Sequence, residues 1–210
     1  MKVRYSYLKQ QFSNSPDLWK KLKDFVDTGD FTLGKPLEIF EKKFAKLIGT
    51  KYAVGVNSGT DAIKLSLKTI GIKPGDEVIT AANTFVATVG AICELGAIPI
   101  FVDCDDSFCM DTSLVEKKIT KKTKAIVPVH FTGYMTDMIK LNKIAKKYNI
   151  PVVEDACQSI LASINKKNSG TWSDFGAFSL HPLKNINVWS DGGVIVTNSK
   201  KYYNHLRLLR

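Results

Sequence analysis

Short apolar runs and amphipathic segments alternate along most of the 210-residue chain. The runs are rich in valine and isoleucine, and most are followed by a segment with helical spacing, which is typical of buried parallel strands joined by helices. The predicted strands are 52–56, 77–80, 98–102, 125–129, 151–154, 175–179 and 194–197. The predicted helices are 16–26, 36–48, 60–70, 85–95, 112–119, 138–148 and 200–210.

This alternation predicts an α/β fold, with a mostly parallel central sheet and helices on both faces. No helical pattern separates the last two predicted strands, 175–179 and 194–197. We therefore expect those two strands to form a hairpin-like edge of the sheet.

Four polar segments follow predicted strands, at the carboxyl ends where open α/β sheets bind ligands. They are 58–60, 83–85, 155–158 and 179–184. The first reads Ser58-Gly59-Thr60 and stands before a helix, where backbone N–H groups and the helix dipole favour a phosphate. An ordinary N-cap is the competing interpretation of this turn. The convergence of all four segments favours the phosphate.

Asp155 and Lys184 carry the strongest chemical implication within these segments. Asp155 ends an apolar strand, where a buried carboxylate needs a cationic partner, unless it caps the next helix. Its neighbour Glu154 is predicted to point to the opposite face of the strand. Lys184 stands in a turn between two strands, although most lysines in loops are solvent-exposed. A fixed amine, a fixed carboxylate and a phosphate turn are the groups that a pyridoxal phosphate (PLP) enzyme needs.

Aromatic, histidine and cysteine side chains refine this prediction. Phe85 could stack on a cofactor ring, although a core position fits its spacing nearly as well. His130 and His181 could each line the pocket, but neither has ligand spacing to another histidine, so no metal site is predicted. Cys93 and Cys157 lie in apolar sequence and are predicted to be reduced core residues.

Composition limits the partners and the location. The net charge is +10, but the lysine pairs are scattered and no aromatic residues interleave with them. This pattern favours a solvated basic surface over a specific nucleic-acid site. No apolar run approaches the ~18 residues of a membrane helix, and no apolar segment follows the charged N-terminus as in a signal peptide. We therefore expect no membrane association and a cytoplasmic location.

Several motifs occur together and in order. They are Gly34-Lys-Pro-Leu-Glu-Ile-Phe-Glu41, Ala53-Val-Gly-Val-Asn-Ser-Gly-Thr60, Thr84-Phe-Val-Ala-Thr88, Pro128-Val-His-Phe-Thr-Gly133, Glu154-Asp-Ala-Cys-Gln158, Phe178-Ser-Leu-His-Pro-Leu-Lys184 and Asp191-Gly-Gly193. As an ordered set they resemble the DegT/DnrJ/EryC1/StrS family of PLP-dependent sugar aminotransferases. The resemblance implies the aspartate aminotransferase-like fold type I, and a homodimer with sites at the subunit interface. It also implies that an amino acid, usually glutamate, donates an amino group to a nucleotide-linked keto-sugar.

The resemblance also implies a role for each site residue. Lys184 is implied to form the internal aldimine and to shuttle the proton, Asp155 to bind the pyridine nitrogen, and Gln158 to lie beside the phenolic oxygen. Gly59, Thr60 and Ser179 are implied to contact the phosphate. Phe85 is implied to stack on the cofactor ring. A related branch with histidine in place of the lysine catalyses dehydration, and Lys184 argues against that reaction.

Family members continue past a helix that resembles segment 200–210 into a smaller domain that completes the substrate pocket. The resemblance therefore divides this chain into an N-terminal helix and substrate loop, 1–35, and a large cofactor-binding domain, 36–210, with the C-terminal small domain absent. Two alternatives to a complete transaminase stay open. One is a fragment that acts only as a PLP-binding or interaction module, and the other is a PLP-dependent sugar dehydratase.

Overall fold

The structure, a computed structural model, describes residues 3–210; residues 1–2, the start of the predicted segment 1–35, lie outside the described residues. The α-helices are α1 (Leu8–Phe12), α2 (Pro16–Thr28), α3 (Lys35–Ile48), α4 (Gly59–Thr69), α5 (Val86–Cys93), α6 (Thr112–Lys118), α7 (Met138–Tyr148) and α8 (Lys200–Leu209). The strands are β1 (Tyr52–Val56), β2 (Glu77–Ala81), β3 (Ile98–Val102), β4 (Thr123–Val127), β5 (Val153–Asp155), β6 (Ser163–Ile164), β7 (Lys167–Asn168), β8 (Phe175–Ser179) and β9 (Gly193–Thr197). A short 3₁₀ turn spans Phe131–Gly133.

Seven of these strands make up the central sheet. One group has the order β1-β9-β8-β5 and the other β3-β2-β4. Two parallel bridges, Ile126 with Val152 and Val129 with Asp155, join β4 to β5. β9 pairs antiparallel with both β1 and β8, whereas the β5–β8, β2–β3 and β2–β4 pairs are all parallel. The predicted mostly parallel α/β sheet is confirmed.

The prediction of a hairpin-like edge is half wrong. β8 and β9 do pair antiparallel, but β9 also pairs along its whole length with β1 and therefore lies inside the sheet. All five residues of β9 are buried. A continuous run such as Val194, Ile195 and Val196 buries apolar side chains on both faces, which an interior position provides and an exposed edge does not.

Helices cover both faces of the sheet, as β4 shows. Ala125 and Val127 belong to one apolar cluster with residues of α4, α5 and α8. Ile126 points the other way and packs in a second cluster with residues of α6 and α7. A third cluster joins α3 to β1, β8 and β9. The core therefore consists of two apolar layers, which hold the carboxyl ends of the strands in fixed positions.

Several local features depart from the predictions. The structure adds α1 and the small β6–β7 hairpin, which the apolar pattern does not indicate. Cys93, predicted to be a core residue, is exposed because it follows the buried Ile92 at the end of α5 and points about 100° away from it. Cys157 is only partly buried, and it lines a cleft described below. Within residues 3–210, no helix has the length and apolar character of a membrane span.

Candidate active site

A cleft of about 410 Å³ lies where β1, β5 and β8 end. Asp155 is the last residue of β5 and Ser179 the last of β8, while 58–60 follows β1. Each of the seven residues predicted to contact a cofactor lines this cleft: Gly59, Thr60, Phe85, Asp155, Gln158, Ser179 and Lys184. The topology of a parallel sheet therefore brings together segments that are up to 125 residues apart, from Gly59 to Lys184.

The turn at 58–60 offers backbone N–H groups to the cleft. Ser58 caps α4: its side chain accepts from Asp61 N at 3.1 Å and its carbonyl from Ala62 N at 3.0 Å. Gly59 and Thr60 come before Asp61 and Ala62 at the start of α4. Their backbone N–H groups have no acceptor within the helix, because the first N–H groups of any helix lack one. Two N–H groups at the positive end of a helix dipole suit an anion such as a phosphate.

Gly59 is constrained by close packing beneath this turn. A Cβ atom built on Gly59 would lie 2.8 Å from Cys157 Sγ and 2.8 Å from Ser179 Cβ. On the other side of the turn, a Cβ on Gly193 would overlap the backbone of Ser58. The two glycines thus let β8 and β9 approach the start of α4, so the phosphate turn is held against the sheet.

The Cys157 thiol forms part of the floor of this cleft. Burial, followed by the neighbouring Asp155 carboxylate, raises the pKa of the thiol well above its ordinary value of 9.0. The positive charge of Lys184 opposes this shift but does not cancel it. Cys157 is therefore a neutral thiol at physiological pH, which suits packing under the phosphate turn better than nucleophilic chemistry.

Asp155 is a buried carboxylate with hydrogen bonds but no ion pair. Only 6% of its surface is exposed. Its Oδ2 accepts from Thr88 Oγ1 at 2.7 Å and its Oδ1 from Cys157 N at 3.1 Å. None of the ion pairs among residues 3–210 includes Asp155. A buried carboxylate in this state favours a cationic ligand group that reaches it from the cleft.

Gln158 is oriented by the loop after β4. Thr132, which has a left-handed backbone φ of 51°, donates its N–H to Gln158 Oε1 at 3.3 Å. With the oxygen taken, the amide NH₂ group remains available as a donor to a ligand oxygen. The side chain is thereby suited to a cofactor's phenolic oxygen.

Lys184 stands in a loop that several hydrogen bonds fix between β8 and β9. Its N–H donates to His181 O at 2.8 Å, and Leu180 N donates to Gly192 O at 2.8 Å. Asn187 Nδ2 donates to Pro182 O at 3.0 Å and lies 3.4 Å from Lys184 O. The lysine is half-buried, and its amine has no ion-pair partner among the described residues.

Only one of the two histidines predicted as possible pocket residues lines the cleft. His181 lines the cleft. His130 is completely buried beside Glu154, with its Nε2 3.0 Å from a carboxylate oxygen. Glu154 points away from the cleft while Asp155 points into it, as the alternation of side chains along a strand predicts. Residues 3–210 contain no cluster of three or more His, Cys, Asp and Glu side chains that could hold a metal ion.

The sequence pattern predicts no role for Thr88, which the structure places beside Asp155. Thr88 lies in the first helical turn of α5, is completely buried and lines the cleft. The sequence contains one indication of this role: Thr88 is a polar residue in an otherwise apolar helix, and a buried carboxylate needs hydrogen-bond donors. Its partner is 67 residues away, however, and no local spacing identifies the pair.

The residues of the cleft fit PLP on their chemistry. Gly59 lets the helix N-terminus pack against Cys157 and Ser179, where any larger side chain would collide, and the backbone N–H groups of this turn suit a phosphate. Asp155 matches a pyridinium nitrogen, since it is a buried anion without a paired cation. Lys184 contributes a primary amine to the same cleft.

Comparison with known proteins agrees with this chemistry. The family model for the DegT/DnrJ/EryC1/StrS aminotransferase family matches residues 14–210. A dTDP-3-amino-3,4,6-trideoxy-alpha-D-glucose transaminase of Micromonospora megalomicea subsp. nigra is 41% identical over 207 residues, which are 98% of this chain and 55% of that protein. The chain thus spans about half the length of the curated relatives it matches.

Solved structures give the same result. The S. venezuelae DesV structure, in complex with a ketimine intermediate, superposes with a TM-score of 0.94 at 38% identity, covering 99% of this chain and 57% of that one. A GDP-4-keto-6-deoxymannose-3-dehydratase with a trapped PLP-glutamate geminal diamine superposes with a TM-score of 0.85 at 33% identity, covering 91% of this chain and 51% of that one. From its sequence and its fold, this chain belongs to the DegT/DnrJ/EryC1/StrS aminotransferase family, whose members are PLP-dependent.

Proposed function

We propose that this chain is the cofactor-binding part of a PLP-dependent aminotransferase that moves an amino group from glutamate to a nucleotide-linked keto-sugar. The observation that carries the proposal is the cleft itself. It combines the helix N-terminus at Gly59, the buried carboxylate of Asp155 and the half-buried amine of Lys184. The curated relatives, which include named sugar transaminases, support the substrate class.

Each group in the cleft has a distinct task in this proposal. The amides of Gly59 and Thr60 and the hydroxyl of Ser179 would bind the phosphate. Asp155 would hold the ring nitrogen in its protonated, cationic state, while Phe85, which is 64% exposed, would cover one face of the ring. The bound cofactor supplies an electron sink for the carbanion that forms next to the amino group.

Lys184 Nζ would first hold the cofactor covalently and then, once released, move a proton between substrate and cofactor carbons. The loop around it supports both tasks, because the hydrogen bonds from Lys184 N and Asn187 Nδ2 fix the backbone while leaving the side chain free. A base on a fixed backbone can reach both carbon positions by side-chain rotation alone. Gln158, held by Thr132 N, would orient the ring by donating to its phenolic oxygen.

The test is to incubate the purified chain with PLP, record its visible absorption, reduce with borohydride and locate the label by peptide mass spectrometry. We expect a new visible band and a label on Lys184. Lys184→Arg, which keeps the charge but cannot make the same stable attachment, should lose both. Lys64 serves as an internal control, because Asp61 and Glu94 hold its ammonium and raise its pKa, which keeps it protonated. A label on lysines in general, or none, would contradict the proposal.

A second candidate is a module that binds PLP but does not turn over substrate. It is considered because the assigned residues of the cleft account for the cofactor and none of them is assigned to the sugar. An assay for amino transfer from glutamate to a keto-sugar nucleotide separates the two candidates, with the chain alone and after fusion to the C-terminal part of a relative. The module is supported if the chain alone binds PLP without transferring the amino group and the fused protein transfers it.

A third candidate, a PLP-dependent sugar dehydratase, is favoured by the dehydratase among the solved relatives. Lys184 argues for the aminotransferase, because a lysine amine can hold the cofactor covalently and a histidine cannot. The fused protein should yield an amino sugar and 2-oxoglutarate. A deoxygenated keto-sugar, with the amino group of glutamate released as ammonia alongside 2-oxoglutarate, would identify the dehydratase instead.

The proposed homodimer has support at the mouth of the cleft. Phe85, Val86 and Leu183 are 64%, 71% and 50% exposed, which is unusual for large apolar side chains around one site. A second copy would cover them. Light scattering on the eluting protein should give twice the mass of the 23.3 kDa chain. Val86→Lys should shift the equilibrium toward monomer, whereas a monomer in the unmodified protein would contradict the homodimer.

A further inference from the structure

A chain of hydroxyl groups leads from the segment around Phe85 to the buried carboxylate. Thr88 Oγ1 lies 2.7 Å from Asp155 Oδ2, and Thr84 Oγ1 lies 2.7 Å from Thr88 Oγ1. An ionised carboxylate only accepts hydrogen bonds, so Thr88 must donate to Asp155. The single proton of Thr88 is then used, so Thr84 must donate to Thr88. The hydrogen bonds therefore run from Thr84 to Thr88 and from Thr88 to Asp155.

Within residues 3–210, the hydroxyl of Thr88 contacts two side chains, Thr84 and Asp155. The side chain is completely buried, and Asp155 is nearly so. Within this low-dielectric interior, a hydrogen bond to a charged acceptor is worth more than one between neutral groups. The other donor to the same carboxylate, Cys157 N, belongs to the loop directly after β5. Thr88 is thus the only side-chain hydroxyl within residues 3–210 that donates to Asp155.

Phe85 lies between the two threonines in sequence and is the N-cap residue of α5. The same hydrogen-bonded chain therefore fixes the helix turn that carries Phe85 relative to the strand that ends in Asp155. These two residues belong to different elements, and no β-sheet hydrogen bond joins α5 to β5. The Thr88–Asp155 hydrogen bond is a direct polar link between α5, which begins at Phe85, and the end of β5.

We propose that Thr88 is a positioning residue for the cofactor ring: its hydroxyl holds Asp155 in the orientation that meets the ring nitrogen, and, with Thr84, ties the Phe85 turn to that carboxylate. This proposal rests on the proposed function, because it concerns the same site. It adds the specific requirement for a hydroxyl, and not merely for a β-branched side chain, at position 88.

The experiment compares Thr88→Val, which keeps the shape and removes the hydroxyl, with Thr88→Ser, which keeps the hydroxyl and removes the methyl group. Thr69→Val is the matched control. Thr69 is also buried in a helix, and its hydroxyl donates to Leu65 O. Thr69 is the last residue of α4, ten residues after Gly59. PLP affinity is measured by fluorescence titration, the visible band of bound PLP is followed against pH, and urea unfolding is measured without cofactor.

We expect Thr88→Val to bind PLP about 10-fold to 100-fold more weakly, the range that corresponds to one hydrogen bond to a charged group. The pH at which the visible band changes should also rise. With Asp155 less well oriented, the ring nitrogen carries less positive charge, so the nitrogen of Lys184 attached to the cofactor keeps its proton to higher pH. Thr88→Ser should restore most of the affinity and the original pH midpoint, and Thr69→Val should change neither.

A double-mutant cycle of Thr88→Val and Asp155→Asn in the cofactor-free chain adds a readout of the hydrogen bond alone. The proposal is overturned if Thr88→Val binds PLP like the unmodified chain with the same pH midpoint, or if Thr88→Ser loses as much affinity as Thr88→Val. Either result would leave the proposed function standing. Failure of the unmodified chain to bind PLP at all would instead overturn the proposed function, and the role of Thr88 with it.

Discussion

Glu154 Oε2 lies 3.0 Å from His130 Nε2, and both side chains are completely buried. Thr136 donates its N–H to the other ring nitrogen, Nδ1, at 3.3 Å. Because Nδ1 accepts that bond, the proton of the ring is on Nε2 and is donated to Glu154. Glu154 belongs to the strand that ends in Asp155, so the pair lies on the opposite face of β5 from the Asp155 side chain.

Replacing Glu154 by glutamine should destabilise the fold strongly. Besides His130, the carboxylate accepts from Gly170 N at 2.7 Å, Trp172 N at 2.8 Å and Ser173 Oγ at 2.8 Å. A glutamine has one oxygen and an NH₂ group, so some of these donors would face another donor. We expect a loss of about 3 kcal/mol in the free energy of unfolding, measured with urea.

The control for Glu154→Gln is Glu116→Gln. Glu116 pairs with Lys147 on the surface, and that bond to solvent-exposed Lys147 lowers the pKa of Glu116. Exposed pairs contribute little to stability, so this variant should unfold almost as the unmodified chain does. Equal urea midpoints for the two variants would show that the buried acceptor set around Glu154 does not stabilise the fold.

The two glycines Gly59 and Gly90 should respond oppositely to alanine. A Cβ on Gly59 would lie 2.8 Å from both Cys157 Sγ and Ser179 Cβ, whereas a Cβ on Gly90 in α5 meets nothing within 4 Å. Gly59→Ala should displace the start of α4 and weaken PLP binding at least 10-fold. Gly90→Ala should raise stability by about 0.5–1 kcal/mol, because alanine suits a helix interior better than glycine. Isothermal titration with PLP and urea unfolding measure the two effects, and unchanged affinity in Gly59→Ala would contradict the packing account.

The sheet and the cleft follow from the sequence to different extents. The runs at 52–56 and 98–102 are predicted at the residues where β1 and β3 occur, because each is a continuous apolar run of strand length. The interior position of β9 is not predicted, since pairing between β9 and β1 joins residues about 140 positions apart. Sequence patterns report burial, but they do not report which strands become neighbours.

The same distinction applies to the site. Asp155 and Gly59 are found because each ends or follows a strand, and parallel topology places such residues at one edge. Thr88 is missed because its role depends on one hydrogen bond to a residue 67 positions away. Cys93 and Cys157 lie in equally apolar sequence, yet one is exposed and the other lines the cleft. Helix phase and loop path decide that difference, and neither follows from composition.

Asn187 is expected to control how well Lys184 is presented. Its Nδ2 donates to Pro182 O at 3.0 Å, and Asn187 and Gln11 of α1 exchange amide contacts at 3.3 Å. Asn187→Ala removes these bonds, each worth about 1 kcal/mol, and should loosen the loop without unfolding the sheet. We expect several-fold slower attachment of PLP to Lys184, measured by stopped-flow absorption. Asn204→Ala, an exposed position on α8, is the matched control, and equal rates in the two variants would remove Asn187 from this role.

Cys157 should make the fold less stable in alkali. Burial and the nearby Asp155 carboxylate raise the pKa of its thiol in the folded chain above the ordinary value of 9.0. The folded state therefore holds this proton more tightly than the unfolded state, so the stabilisation is complete below pH 9 and is lost as the pH rises toward the folded-state pKa. For one proton the loss approaches about 1.4 kcal/mol per pH unit.

The measurement is urea unfolding between pH 8 and pH 10.5 for the unmodified chain, Cys157→Ala and Cys93→Ala. Cys157→Ala should flatten the alkaline fall in stability, even if the cavity it creates lowers stability at every pH. Burial also raises the pKa of Tyr202, but that group is present in all three proteins and cancels in the comparison. Cys93 is exposed, so Cys93→Ala should keep the original slope. An unchanged slope in Cys157→Ala would mean that folding does not raise the pKa of this thiol.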